Sequence, residues 1–155
     1  MASLRGIGDM RQLAKVSVLA LWLLPTASEA RDEGHWQRQY CAGMEIEHHL
    51  SSGGYVDCLN GRYAIEVDWS SKWAESVGQA LYYASATDRT PGIVLLCESS
   101  EESAEGSCLS DVYRLEYALK SVSTHVQVWT CAIDEDQTLN DCFQPELQRT
   151  VGGRG

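Results

Sequence analysis

Asp57, Glu66 and Asp68 are the residues of this chain best placed to do chemistry together, because carboxylates gathered on one surface either repel each other or share a cation. Glu66 and Asp68 are two residues apart, the spacing that puts side chains on one side of an extended strand. Without a cation, such a group must raise its pKa values or stay fully solvated. A divalent ion relieves the repulsion. Mg2+ or Mn2+ suits an all-oxygen set, where it polarises a phosphate and lowers the pKa of an attacking water. The plain alternative is an amphipathic hairpin whose polar face meets solvent. Lys72 is a further candidate, since Glu75 and Gln79 follow it at helical spacings and would face the same way. Its own plain reading is a solvated lysine at a helix start. His48 and His49 are adjacent, so on an extended strand they point to opposite faces and cannot chelate together. No serine has a nucleophile-elbow context and no glycine-rich phosphate cradle is present.

These side chains need elements to hold them. Tyr55-Val56-Asp57-Cys58-Leu59 and Arg62-Tyr63-Ala64-Ile65-Glu66-Val67-Asp68 alternate as two strands, and Asn60-Gly61 between them is suited to a tight hairpin turn. A two-residue turn centred there sets Asp57 opposite Ala64 and Tyr55 opposite Glu66. Asp57, Ala64, Glu66 and Asp68 then share one face, and Val56, Cys58, Tyr63, Ile65 and Val67 form a core face. Asp57 and Glu66 become diagonal neighbours at roughly 5 to 8 Å, close enough to hold one hard cation. Upstream, a helix is predicted over about 35–47 and a short strand around 48–51. Downstream, Ser70 or Ser71 caps a helix over about 72–86 whose apolar face is Trp73, Val77, Ala80, Leu81 and Ala84. Thr90-Pro91-Gly92 ends that unit, and Ile93 to Cys97 reads as a strand buried on both faces. Glu98 to Gly106 reads as a solvated acidic loop, Asp111 to Ser123 as an amphipathic helix and Val126 to Thr130 as the last strand. The fold class is α/β, a mixed central sheet flanked by helices in the order α-β-β-β-α-β-α-β.

Asp57, then Glu66-Val67-Asp68 on the next strand, then a helix bearing Gln79, all in this order of elements, resembles the PD-(D/E)xK nuclease superfamily with its restriction-endonuclease-like fold. Tyr55 to Leu59, Tyr63 to Asp68 and Lys72 to Ala84 are similar to a group of uncharacterised exported bacterial proteins of that fold, over roughly residues 40–97. The resemblance implies that Asp57 and Glu66 are metal ligands and that Gln79 positions the substrate from the following helix. It implies that Glu45, or its competitor Glu47, is the acid that many members supply from the first helix. The position where active members usually carry a lysine holds Asp68, and Lys72 stands as a migrated substitute; Val56 stands where a proline often precedes the first acid. The implied catalytic set is therefore Asp57, Glu66, Asp68, Lys72 and Gln79, the reaction is metal-dependent phosphodiester hydrolysis, and the partner is nucleic acid. The alternative is a catalytically inactive binding or structural module of the envelope that retains the fold.

Residues 1–30 read as a secretory signal peptide: Arg5, Arg11 and Lys15, then an apolar run from Val16 to Leu24, then Pro25 and the small-residue site Ser28-Glu29-Ala30. No later stretch is apolar enough to span a bilayer. The 155-residue chain has a formal charge of −10. Removing Arg5, Arg11, Lys15, Asp9 and Glu29 leaves nine basic and twenty acidic side chains and a charge of −11. That charge disfavours generic adhesion to nucleic acid or anionic lipid. Residues 31–142 make one domain, and residues 143–155 read as a disordered tail. All six cysteines lie in the exported part, an even count that suggests bridges in a periplasmic or secreted protein. Cys97 with Cys108 and Cys131 with Cys142 each close a short polar loop, which leaves Cys41 with Cys58. If Cys41 and Glu45 share one helix face, that last bridge directs Glu45 away from Asp57, because Cys58 and Asp57 point oppositely.

Overall fold

A computed structural model of the chain describes residues 32–98 and 104–145. The predicted signal peptide, most of the predicted acidic loop and residues 146–155 lie outside the described residues. The element order is α1 (Glu33–Tyr40), β1 (Glu45–His49), β2 (Tyr55–Leu59), β3 (Tyr63–Trp69), a 3-10 turn (Ser70–Lys72), α2 (Trp73–Thr87), β4 (Thr90–Cys97), α3 (Ala104–Leu119) and β5 (Gln127–Ala132). This is the α/β order that the sequence predicts. Five strands form one open mixed sheet in the order β1-β2-β3-β4-β5. The β1–β2 and β2–β3 pairs are antiparallel, and the β3–β4 and β4–β5 pairs are parallel.

The first helix is much shorter than the predicted 35–47. Asp32 caps it by accepting from the His35 backbone N–H at 2.9 Å, with Glu33 in the first turn and Arg38 in the last favouring the dipole. Gly43, at φ 83°, then turns the chain through a conformation that glycine adopts without strain. Glu45 and Glu47 consequently lie on strand β1 and not on the first helix.

The hairpin register also differs from the predicted one. Cys58 pairs with Ile65 and Leu59 with Ala64. Asn60 closes the turn and does not sit at its centre: its N–H donates to the Tyr63 carbonyl at 3.1 Å, and its side-chain oxygen accepts from the Arg62 and Tyr63 N–H groups, each at 2.8 Å. The turn is therefore Gly61-Arg62. The shift is two residues, so the faces survive on β3: Tyr63, Ile65 and Val67 pack with α1, while Ala64 joins the opposite side. On β2 the alternation fails at Asp57, and Val56 packs with Leu50, Ala64 and Tyr83 rather than with Cys58.

β4 begins at Thr90, so Pro91 and Gly92 are in the strand and do not end the preceding unit. Pairing with β5 starts only at Gly92, which leaves Pro91 an edge-like position that tolerates the missing N–H. Gly92 is there for closeness: an added Cβ would lie 2.9 Å from Ile65 Cγ1 and 3.1 Å from Trp129 Cζ3. As predicted, β4 is buried on both faces, with Val94 and Leu96 in the α1 core and Ile93 and Leu95 against α2 and α3. The helix predicted over 111–123 runs instead over Ala104–Leu119, taking up the end of the predicted acidic loop, and β5 extends to Ala132. Ser70 and Ser71 form a 3-10 turn and cap nothing; Ser70 Oγ donates to the buried Asp111 carboxylate at 3.2 Å. Phe143, placed by the sequence in a disordered tail, exchanges two backbone hydrogen bonds with Thr130 at 2.8 and 3.0 Å.

The three bridges are Cys41–Cys58, Cys97–Cys108 and Cys131–Cys142, with Cα separations of 5.8, 5.6 and 4.6 Å. They fit an oxidising, exported environment. Among the described residues, no helix is long and apolar enough to cross a membrane.

Candidate functional site: two carboxyl pairs

Asp57 sits where β2 departs from regular pleating. Its carbonyl accepts from Gln37 Nε2 of α1 at 3.0 Å, and its Oδ2 accepts from the Val67 N–H at 2.7 Å, so the side chain replaces a backbone carbonyl in the ladder to β3. The same Gln37 amide donates to Glu47 Oε1 at 2.8 Å. Glu47 has φ 56°, a left-handed kink that removes it from the pairing between β1 and β2. The paired register with β3 ends at Cys58 and Ile65, one residue short of Asp57 and Glu66, and these two meet through their side chains.

Glu66 and Asp68 are only 4% and 3% exposed, which rules out the solvated polar face. Both lie on the interior strand β3, with Tyr83 of α2 against Glu66 and with Lys72 and Glu33 against Asp68. The Asp57 and Glu66 carboxyls are hydrogen-bond neighbours, a contact between two acceptors that requires a proton. Burial first, then the Asp57 charge, pushes Glu66 up to about 9; burial first raises Asp57 to about 6, partly offset by the Val67 N–H. At neutral pH Glu66 therefore holds the proton. Its Oε2 is buried without a hydrogen-bond partner. Tyr83 lies against the same carboxyl, donates its hydroxyl to Gln79 Oε1 at 2.9 Å, and is itself raised by burial and by Glu66.

A second pair of carboxyls has what the first lacks. Glu33 at the start of α1 meets Asp68, and Lys72 Nζ lies 2.9 Å from Asp68 Oδ1 and 3.3 Å from Glu33 Oε2. Asp68 Oδ1 also accepts from the Trp69 N–H at 2.8 Å. Hydrogen bonding to Asp68 raises Lys72, and burial first, then Asp68, raises Glu33 to about 7. Lys72 reaches back from the helix start to Asp68 of β3, where it is held in ion pairs with Asp68 and Glu33.

The structure thus brings Asp57, Glu66, Asp68, Lys72 and Gln79 into one region. It does not bring Glu45 there: this residue is exposed, and its carboxylate binds His48 Nδ1 at 2.8 Å. The acid that α1 brings to this region is Glu33, beside Asp68 and Lys72. It escapes sequence reading because the helix starts two residues earlier than predicted, although Asp32 as a cap was its signal. Gln37 shares a helix face with Glu33, and Tyr83 follows Gln79 by one turn; each was legible only after the helices were phased. His49 packs edge-on against the Tyr55 ring and takes no part.

Two adjacent carboxyls without a counter-cation suit a divalent ion held partly by water and substrate oxygens. Glu66, which shares its proton with Asp57, would have to release that proton before its carboxylate could ligate such an ion. Among the described residues, no three His, Cys, Asp or Glu side chains are arranged to enclose a metal, so an ion here would have Asp57 and Glu66 alone. No family model matches this chain, nor does any curated protein or solved structure.

Proposed function

We propose that this is an exported, periplasmic or secreted, domain of restriction-endonuclease-like fold that holds one Mg2+ or Mn2+ ion between Asp57 and Glu66 and hydrolyses phosphodiesters. The observation that supports it is the contrast between the two carboxyl pairs: Lys72 neutralises Asp68 and Glu33, whereas the half-buried Asp57 and the buried Glu66 meet with no basic side chain paired to them among the described residues. Such an ion supplies Lewis-acid polarisation of a phosphate oxygen and a lowered pKa for an attacking water. The chain's own residues do the rest. The Val67 N–H and Gln37 fix Asp57, and Tyr83 and Gln79 form the wall beside Glu66. Glu66 must lose its proton before it can ligate, so cation affinity rises with pH up to about 9.

A second reading is a non-catalytic envelope module. It is favoured by Lys72, whose two ion pairs hold it on Asp68 and Glu33, and by the charge of −10. The readings separate when oxidised protein is incubated with single- and double-stranded DNA and RNA plus Mg2+ or Mn2+, beside Asp57→Ala and Glu66→Ala. Cleavage lost in both variants supports the enzyme; equal cleavage in all three sinks it. Calorimetric titration with Mn2+ tests the cation alone, and no heat at millimolar metal leaves the second reading.

A further inference from the structure

We propose that an open depression at the N-terminal ends of the parallel strands binds a phosphate group through Arg62 and Arg89. The depression encloses about 530 Å³, and its walls come from the turn before β3 and the loops before β4 and β5. Arg62, Arg89 and His125 line it, with Thr90 and Thr124 adding hydroxyl donors, in a molecule whose net charge is −10. Cations are scarce in this chain, so their meeting in one concavity is informative.

Both guanidinium groups are oriented without being neutralised. Arg89 Nε donates to the Asn60 carbonyl at 3.2 Å, and its Nη1 donates to the carbonyls of Thr87 and Asp88 at 3.2 and 3.3 Å. Backbone carbonyls fix the fork and leave its full charge in place. Arg62 lies over the Tyr63 ring at 4.9 Å from its centroid, an attraction that also leaves the charge uncancelled. Asp88 shares the wall, held at the end of α2 with φ 54°, yet it makes no ion pair with either arginine. Two guanidinium groups that keep their charge, beside hydroxyls, suit a tetrahedral oxyanion, whose several oxygens can take donors from three loops at once. Free phosphate and a nucleic-acid backbone present the same oxygens to this site. No residue here belongs to the carboxyl cluster.

The test is an amide-shift titration by NMR of the oxidised chain in chelator at constant ionic strength, with sodium phosphate in one arm and a short oligonucleotide in the other. Saturable shifts are expected at Gly61, Thr90 and Thr124. Arg62→Gln should weaken binding at least tenfold and Arg62→Glu abolish it, with the rest of each spectrum unchanged to show an intact fold. Tighter binding of the oligonucleotide at these amides assigns the group to a nucleic-acid backbone; phosphate binding alone assigns it to the free ion. No saturable shift with either ligand, or unchanged affinity in a folded Arg62→Glu, overturns the proposal.

Discussion

At the scale of single residues, the proton shared by Asp57 and Glu66 makes a prediction about stability. In the unfolded chain Glu66 ionises near 4.5, whereas in the fold it keeps its proton to about 9. The folded state therefore binds more protons across that window, and stability must fall as pH rises through it. Asp57, raised from 3.8 to about 6, adds to the loss in the lower part. Urea unfolding in chelator should give a lower midpoint at pH 8.5 than at pH 5.5. Glu66→Gln, which is permanently neutral and can donate to Asp57, should remove most of that slope and exceed the parent at high pH by about 1–3 kcal/mol. An unaltered slope would contradict the shared proton. Lys72→Ala should cost about 1–2 kcal/mol in the same assay, because it leaves the buried Asp68 without its cation; the half-exposed lysine holds the figure down.

At the scale of elements, what the sequence disclosed and what it hid follow from where each signal lies. Period-two alternation placed β3 and its two faces correctly, because a register error of two residues keeps every side chain on its side. The failure at Asp57 was hidden, since it depends on Gln37 reaching over from α1 and on Val67 across the ladder, neither of them a neighbour in sequence. The first helix was overextended because Glu45, Ile46 and Glu47 suit helix as well as strand. Pairing with β2 decides the matter. Pro91 and Gly92 read as a break by local rules, but their strand position is set by Trp129 and Ile65, distant in the chain. Gly92→Ala should accordingly destabilise by about 1–3 kcal/mol through overpacking, measured as a lowered urea midpoint, and a neutral result would mean that Trp129 can yield. Of the candidate site, the sheet acids were legible and the helical acid was not.

At the scale of the whole molecule, three short-range bridges hold together a domain whose described residues form three hydrophobic clusters. Closing loops of this size removes enough freedom from the unfolded chain to contribute about 3 kcal/mol each. Replacing Cys131 and Cys142 together by serine should lower the urea midpoint accordingly, and no change would mean that β5 and the segment around Phe143 hold without their covalent tie. The same segment has a consequence for how the protein can be recognised. Phe143 occupies backbone groups of Thr130 along β5, and at the opposite border the kinked Glu47 interrupts the ladder of β1. Neither border, among the described residues, offers an uninterrupted row of N–H and C=O groups to an incoming strand. Strand addition at either border would therefore meet an interruption at Thr130 or at Glu47.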